Sequence, residues 1–381
     1  MLSKHEAYRK AQKGGIAMST LILNSLEIRG FRGFRQLQIE RLGRVNLIVG
    51  KNNVGKSSLL EALQLYAHRG SPRLIWELLV ARDENEPVPS IGFVETETML
   101  SALKYLFYGR KDVKTHPGSI QIGPANSPKD TLSLSVGWYT ERLDSTGRQS
   151  LEPLQPEEYD VVTNAIPRFV IQAGNRPKTH YPLDPYAPHR VLRSELKEIQ
   201  CVCIPANGLD KGQMSELWDS IALTDMEKDV LAALRIVAPG VENLSIVKRG
   251  NNAIVKIASI DEPLPLRSLG DGMQRTFGIA LALVNARNGL LLIDEFENGL
   301  HYLVQPDLWR LIFQVARRLN VQVFATTHSW DCIEGFQKAA QEDNQEEGML
   351  MRLESKKGEI AATLFDERQL GIATREQIEV R

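Results

Sequence analysis

The sequence predicts an α/β fold, a mixed sheet built round a phosphate-binding loop and interrupted by a helical and looped insert. Three observations carry that expectation. Val45-Asn-Leu-Ile-Val49 is a short apolar run that passes straight into Gly50-Lys51-Asn52-Asn53-Val54-Gly55-Lys56-Ser57. Leu290-Leu-Leu-Ile293 is a second apolar run and ends in the carboxylates Asp294-Glu295. Val321-Gln-Val-Phe-Ala-Thr326-Thr327 is a third and ends in His328-Ser329. Short apolar runs of this kind are consistent with strands buried in a sheet. Ligands of open α/β sheets bind at the carboxyl ends of strands, so the polar endings are expected along one edge.

The first run carries the most specific signal. Gly50-x4-Gly55-Lys56-Ser57 has the spacing of the phosphate loop of nucleotide hydrolases, a P-loop NTPase site. Glycines let consecutive amides turn inward around a polyphosphate, Lys56 adds a point charge, and Ser57 offers a hydroxyl to Mg²⁺. The helix that follows, starting Lys56-Ser57-Ser58, aims its positive end at the same phosphates. Gly50, Lys51, Asn52, Asn53, Val54, Gly55, Lys56, Ser57 and Ser58 are therefore expected to hold ATP. No Asn-Lys-x-Asp guanine pattern is present, which disfavours GTP.

The other strand ends supply the chemistry. Asp294 is expected to hold Mg²⁺ with Ser57. Glu295, one residue on, is placed to take a proton from an attacking water or to orient it. His328 is expected to sense the γ-phosphate or to hold that water. Lys56, Glu295 and His328 thus form the expected catalytic set. Arg267-Ser268-Leu269-Gly270-Asp271-Gly272-Met273-Gln274-Arg275 precedes a helix expected from Gly272 to Ala286. Its small residues and helix start suit a second phosphate; the alternative is a capping loop with Ser268 or Asp271 as cap. A second phosphate binder in a chain that already has one implies a second subunit.

Along the rest of the chain the signals are weaker. Residues 1–20 are polar and basic and are expected to be a disordered tail. Leu21–Glu40 alternates around glycines, as two strands and a turn. Residues 71–130 mix helical and loop signals, and strand-like runs return at Thr131–Trp138 and Arg168–Gln172. Asn175–His189 carries four prolines and reads as a long loop. Arg176, Lys178, His180, His189, Arg190, Arg193 and Lys197 gather there, with Asp184 and Glu195 among them, as a solvated surface or a local nucleic-acid patch. Gln213–Val237 has helical spacing broken at Thr224-Asp225, a helix pair.

The chain has 381 residues, 43% hydrophobic and 24% charged, enough for a large core in one domain or two closely joined ones. No apolar stretch approaches the roughly 20 residues that cross a bilayer, and no secretory signal is visible. A cytoplasmic protein without a membrane partner is expected. The net charge of −1 leaves nucleic acid to a local patch or to a partner. Cys201, Cys203 and Cys332 read as buried thiols, since no further Cys or nearby His completes a metal site.

With these elements in order, the chain resembles ABC-type ATPase heads of the SMC and RecF branch, and most closely the compact ATPases related to the overcoming-lysogenization-defect family. Glu27-Ile-Arg-Gly-Phe-Arg-Gly-Phe34 resembles that branch's opening strand motif, and Gly50–Ser57 its phosphate loop. Ser268-Leu269-Gly270, with Gly272 and Arg275, looks like a degenerate signature loop. Asp294-Glu295 is similar to Walker B plus the catalytic Glu, Asn298-Gly-Leu-His301 to the D-loop, and Thr327-His328-Ser329 to the switch histidine. The resemblance implies a single head over 21–381, with an insert and helical subdomain at 71–240 and the signature, Walker B and switch-His lobe at 241–381. It implies an ATP-sandwich homodimer or higher oligomer in which Ser268, Gly270 and Gly272 close over the partner's ATP. It also implies a separate effector, a nuclease or toxin in defence against phage. The residues after His328 are too few for the Toprim nuclease domain that many such proteins carry. A RecF-like ATPase acting directly on DNA and a non-hydrolysing ATP-dependent scaffold are the alternatives.

Overall fold

A computed structural model describes residues 21–84, 96–116, 118–143, 149–155, 158, 165–183, 198–247, 252–343, 347–356 and 358–375. The tail at 1–20 and Ile378–Arg381 lie outside them, as do His189, Arg190, Arg193 and Lys197 of the basic cluster.

The central layer is a six-stranded sheet made of β3 (Val45–Val49), β9 (Cys201–Ile204), β13 (Leu290–Ile293), β14 (Gln322–Thr326), β15 (Gly348–Lys356) and β16 (Glu359–Asp366). Its order is β16-β15-β3-β14-β13-β9. All neighbours from β15 to β9 are parallel and β16 returns antiparallel, so the sheet is mixed as expected. Every residue of β3, β13 and β14 is buried. Cover on both faces explains why these segments read as unbroken apolar runs. The runs Met349–Leu353 and Glu359–Leu364 lie within β15 and β16 and finish the edge of this sheet.

Alternate residues of the strands feed two cores. Leu47, Val49, Leu291, Ile293, Val323 and Ala325 face the first. That core is filled by α4 (Lys211–Asp219), α5 (Met226–Val237), α6 (Asp271–Asn285), α7 (Gln305–Leu319) and α8 (Trp330–Asp343). Ile48, Leu290, Leu292, Phe324 and Met351 face the second, which holds α1 (Lys56–Ala67) and α2 (Pro72–Val80). α3 (Thr96–Leu103) joins the same side, and α9 (Glu367–Arg375) packs near α8.

The second core is closed by a seven-stranded antiparallel sheet of order β2-β1-β4-β5-β7-β8, with β6 paired to β5. Its strands are β1 (Leu26–Phe31), β2 (Phe34–Ile39), β4 (Ser119–Gly123), β5 (Leu132–Leu143), β6 (Gln149–Pro153), β7 (Ile166–Ala173) and β8 (Thr179–Pro182). A small sheet of β10 (Val241–Val247), β11 (Asn252–Ile257) and β12 (Leu264–Pro265) borders the first core. The strands expected from Leu21–Glu40, Thr131–Trp138 and Arg168–Gln172 correspond to β1, β2, β5 and β7, and the helix pair to α4 and α5.

One expectation is corrected here. Within the stretch read as a loop at Asn175–His189, Thr179–Pro182 pairs with β7 as an edge strand. Proline density misled because an edge position tolerates a residue without an N–H. His180, expected on a basic surface, instead stands edge-on to the Tyr139 ring at 4.7 Å, and its pKa is lowered by burial, then by Lys178 and Arg168. Between the two helices Asp225 precedes α5 without a side-chain cap, and the Thr224 hydroxyl accepts from the Met226 amide.

The central sheet is tied to the chain's first described segment by Gln322, which is 1% exposed. Its amide donates to Leu23 O and Gly43 O and its carbonyl accepts from Leu23 N–H, at 2.8, 2.9 and 3.0 Å. Gln322→Leu leaves these buried groups unpaired at about 1–3 kcal/mol each before relaxation. A net loss of about 2–4 kcal/mol is expected, read as a lower urea midpoint; an unchanged midpoint would mean the three groups find other partners.

Candidate functional site

The loop between β3 and α1 is shaped by glycine. Gly50 and Gly55 have φ of +143° and +92°, and a Cβ on them would come within 2.4 Å of Leu353 O and 2.9 Å of Phe34 Cζ. Lys51, Asn52 and Asn53 are exposed between them, while Val54 is buried as the anchor. Gly55 caps α1 without a side chain, so the first amides of the helix are left for a ligand. Lys56 Nζ spans the loop, donating to Gly50 O at 2.7 Å and Lys51 O at 3.1 Å. Burial lowers its pKa, and Asp294, Glu295 and Glu297 push the other way. The three carboxylates thus act on the same ammonium, which brings the second strand end to the loop.

Ser57 stands half-buried at the helix start. Ser58, expected to bind nucleotide, is buried and its hydroxyl accepts from Arg82 Nη2 at 3.3 Å. Helical periodicity turns its side chain inward, so only its amide remains for a phosphate.

β14 lies between β3 and β13, and its last residue ties the site together. Thr326 Oγ1 donates to Asp294 Oδ1 at 2.5 Å and accepts from Glu295 N–H at 2.9 Å. Glu295 has φ of +48°, in the left-handed region. Asn298 Nδ2 donates to Glu295 Oε2 at 2.6 Å and to Ala206 O at 3.1 Å. Arg275 Nη2 donates to Asp294 O and Glu295 O at 2.7 and 2.8 Å, and Nη1 to Pro205 O at 3.1 Å. Its pKa is lowered by burial, against the pull of Glu297, Asp294 and Glu295.

His328 follows on the same edge. Its amide donates to Glu297 Oε1 at 3.0 Å and its Nδ1 sits 3.1 Å from that oxygen. A carboxylate only accepts, so the Nδ1 that faces Glu297 is the donor of that pair. The side chain is 54% exposed, open to a ligand.

For Mg²⁺ the donor chemistry fits. Asp294 keeps Oδ2 clear of the Thr326 bond, and Ser57 adds a hydroxyl, both hard oxygens. Among the described residues no group of three or more His, Cys, Asp or Glu is arranged to hold a metal ion by itself. Cys201 and Cys203 are held as thiols by burial, their pKa values raised, that of Cys203 to about 12.

The candidate signature loop stands at the start of α6. Ser268 is exposed in a 3₁₀ turn, Leu266–Leu269. Gly270, φ +93°, precedes α6 with nothing within 4 Å of a would-be Cβ. The capping alternative does not hold, because α6 has no side-chain cap and Asp271 is its first residue. Its first amides are therefore free for an anion. Gly272 lets this turn sit against the loop after Glu295, where a Cβ would lie 2.9 Å from Gly299 O.

Thr326, Glu297, Asn298 as a partner of Glu295, and the grip of Arg275 were not legible as site features. Thr326 had one signal, its place in the Thr-Thr-His ending. Glu297 had none beyond a run of acids.

Comparisons with known proteins meet the same segments. Residues 21–90 match the family model "AAA ATPase domain" and residues 245–331 match "AAA domain, putative AbiEii toxin, Type IV TA system". Both halves of the site therefore fall in segments that are similar to AAA-type ATPase models. The chain is 25% identical over 342 residues to an ATP/GTP phosphatase of Helicobacter pylori, covering 82% of this chain and 87% of that protein. It is 28% identical over 142 residues to the DNA replication and repair protein RecF of Pseudoalteromonas translucida, 36% of this chain and 34% of that one. Among solved structures, the SMC head domain from Thermotoga maritima aligns with 14% identity and a TM-score of 0.43, over 90% of this chain and 98% of that one. An SMC head bound to the C-winged helix domain of ScpA aligns with 11% identity and a TM-score of 0.47, over the same shares.

Lys56→Ala removes the ammonium that spans the loop to Gly50 O and Lys51 O and that is expected to pair with a phosphate. With a charge-assisted bond worth about 1.5–3 kcal/mol, ATP affinity is expected to fall about 10- to 100-fold. Calorimetric titration of wild type and variant with ATP checks it.

Proposed function

We propose that this protein is a Mg²⁺-dependent ATPase of the ABC head type whose two copies close over ATP and so control a separate effector. The observation that carries this is the convergence of Lys56, Asp294, Glu295 and His328 on one sheet edge. The AAA-type matches at both ends of the site support ATP hydrolysis, as does the Helicobacter relative's printed activity.

In this reading the loop amides and Lys56 bind the β- and γ-phosphates. Ser57 and Asp294 hold Mg²⁺, which when bound neutralises phosphate charge. Glu295, turned by its left-handed backbone and held by Asn298, orients and deprotonates the attacking water. His328, half-exposed on the same edge, contacts the γ-phosphate. The uncapped start of α6 with Ser268, Gly270 and Gly272 meets the partner's γ-phosphate, so that binding draws two heads together and hydrolysis parts them. We take residues 21–381 as one head, its 71–240 portion a subdomain open to partners, and the protein as cytoplasmic. The effector is a nuclease or toxin of the phage-defence kind suggested by the overcoming-lysogenization-defect resemblance; the toxin system in one matched description supports it. A second reading, direct action on DNA, draws on the RecF match over part of the chain. A non-hydrolysing scaffold has no use for a carboxylate held as Glu295 is.

Glu295→Gln is expected to slow hydrolysis by about 10²–10⁴-fold, the usual share of a general base, while ATP binding persists. Light scattering should then show a doubled mass with ATP and Mg²⁺ that does not decay. An unchanged hydrolysis rate would remove Glu295 as base, and a mass indifferent to ATP would remove Ser268 from the partner's site.

A further inference from the structure

Arg275 has no part in the steps above, yet its side chain joins the start of α6 to the Asp294-Glu295 strand end. It lies about 6 Å along α6 from the first residue of the helix, at 1.5 Å per residue. It is 7% exposed, and its hydrogen bonds go to backbone carbonyls, those of Pro205, Asp294 and Glu295. One nitrogen, Nη2, serves both carbonyls of the Asp294-Glu295 pair.

The surroundings say what this contact controls. Three residues hold Glu295: Thr326 takes its N–H, Asn298 donates to its carboxylate through the side chain and to its C=O through the backbone, and Arg275 donates to that same C=O. Thr326 is the end of the adjacent strand and Asn298 belongs to Glu295's own loop. Arg275 alone of the three comes from α6. Its positive-φ backbone makes the Glu295 side chain's direction depend on how both flanking peptides are held. The first turn of α6 also touches that loop directly at Gly272 and Gly299. A cavity of about 270 Å³, lined by Arg275, Gln274, Asn298 and Gly208 among others, borders the same turn.

We propose that Arg275 is a positioning residue that converts the placement of the first turns of α6 into the orientation of the Glu295 carboxylate. This rests on the ATPase reading above. A nucleotide of a second copy closing on Ser268 and Gly270 seats α6, the guanidinium seats the Glu295 peptide, and the carboxylate meets its water only in the closed pair. The planar fork of arginine is needed because a lysine ammonium is a single point and cannot hold the three carbonyls at these separations.

The test is single-turnover ATP hydrolysis together with ATP affinity, in wild type, Arg275→Lys, Glu295→Gln and the double variant, all as full chains. Arg275→Lys should slow hydrolysis at least tenfold with ATP affinity within twofold of wild type. In the Glu295→Gln background the same substitution should change the residual rate less than twofold, because Arg275 acts through Glu295. Equal losses in both backgrounds, a wild-type rate in Arg275→Lys, or a loss tracking ATP affinity would overturn the proposal. If Arg275→Lys does not fold, Arg275→Gln, which keeps amide donors on a shorter side chain, is read in the same two backgrounds. A wild type that does not hydrolyse ATP at all would instead overturn the ATPase reading.

Discussion

The register of three adjacent buried strands is the constraint on which this site depends. β3, β14 and β13 run parallel, with Thr326 opposite Ile48 and Ile293 opposite Ala325, so the phosphate loop, the Thr-Thr-His ending and Asp294-Glu295 leave the sheet at one level. Backbone bonds extend the alignment past the strand ends: Thr327 N–H to Ile48 O, Phe296 N–H to Thr326 O and Asp294 N–H to Ile204 O. A slip of one residue would send the inward side chains to the opposite face. It would also break the Thr326 hydroxyl away from both acidic residues.

The phosphate-loop helix is held by a second set of charges on its far side. Arg32 binds Glu61 and Glu84 at 2.5 and 2.7 Å, Glu61 also takes Arg82 at 2.6 Å, and Arg82 reaches Ser58. Burial pushes the Glu61 carboxyl up, and Arg32 and Arg82 draw it back. Buried ion pairs of this kind add little net stability, because desolvation consumes most of the attraction. Their geometry is what matters here, since they join the β1–β2 turn, α1 and the segment after α2 at fixed distances. The phosphate loop is thus set against the antiparallel sheet on one side and the central sheet on the other.

The two cores explain why a chain with scattered motifs assembles one site. α6 fills the first core and α1 the second, so the helices that present the two candidate phosphate-binding ends lie on opposite faces of the central sheet. Their starts can approach a common edge only as far as the strand ends allow.

What the sequence by itself determined is the set of short contiguous patterns that end the buried strands. Gly50–Ser57, Asp294-Glu295 and Thr327-His328 could be read because backbone conformation and burial along single strands dictate short, recognisable patterns. The parallel central strands and the α4–α5 pair were legible for the same reason. Only the tertiary structure decided that β14 separates β3 from β13, that Ser58 turns inward to Arg82, and that Thr179–Pro182 is an edge strand. It alone showed that Thr326, Asn298 and Arg275 grip Glu295. These depend on contacts between residues far apart in the chain, where neither spacing nor residue type carries a local signal and packing makes the choice.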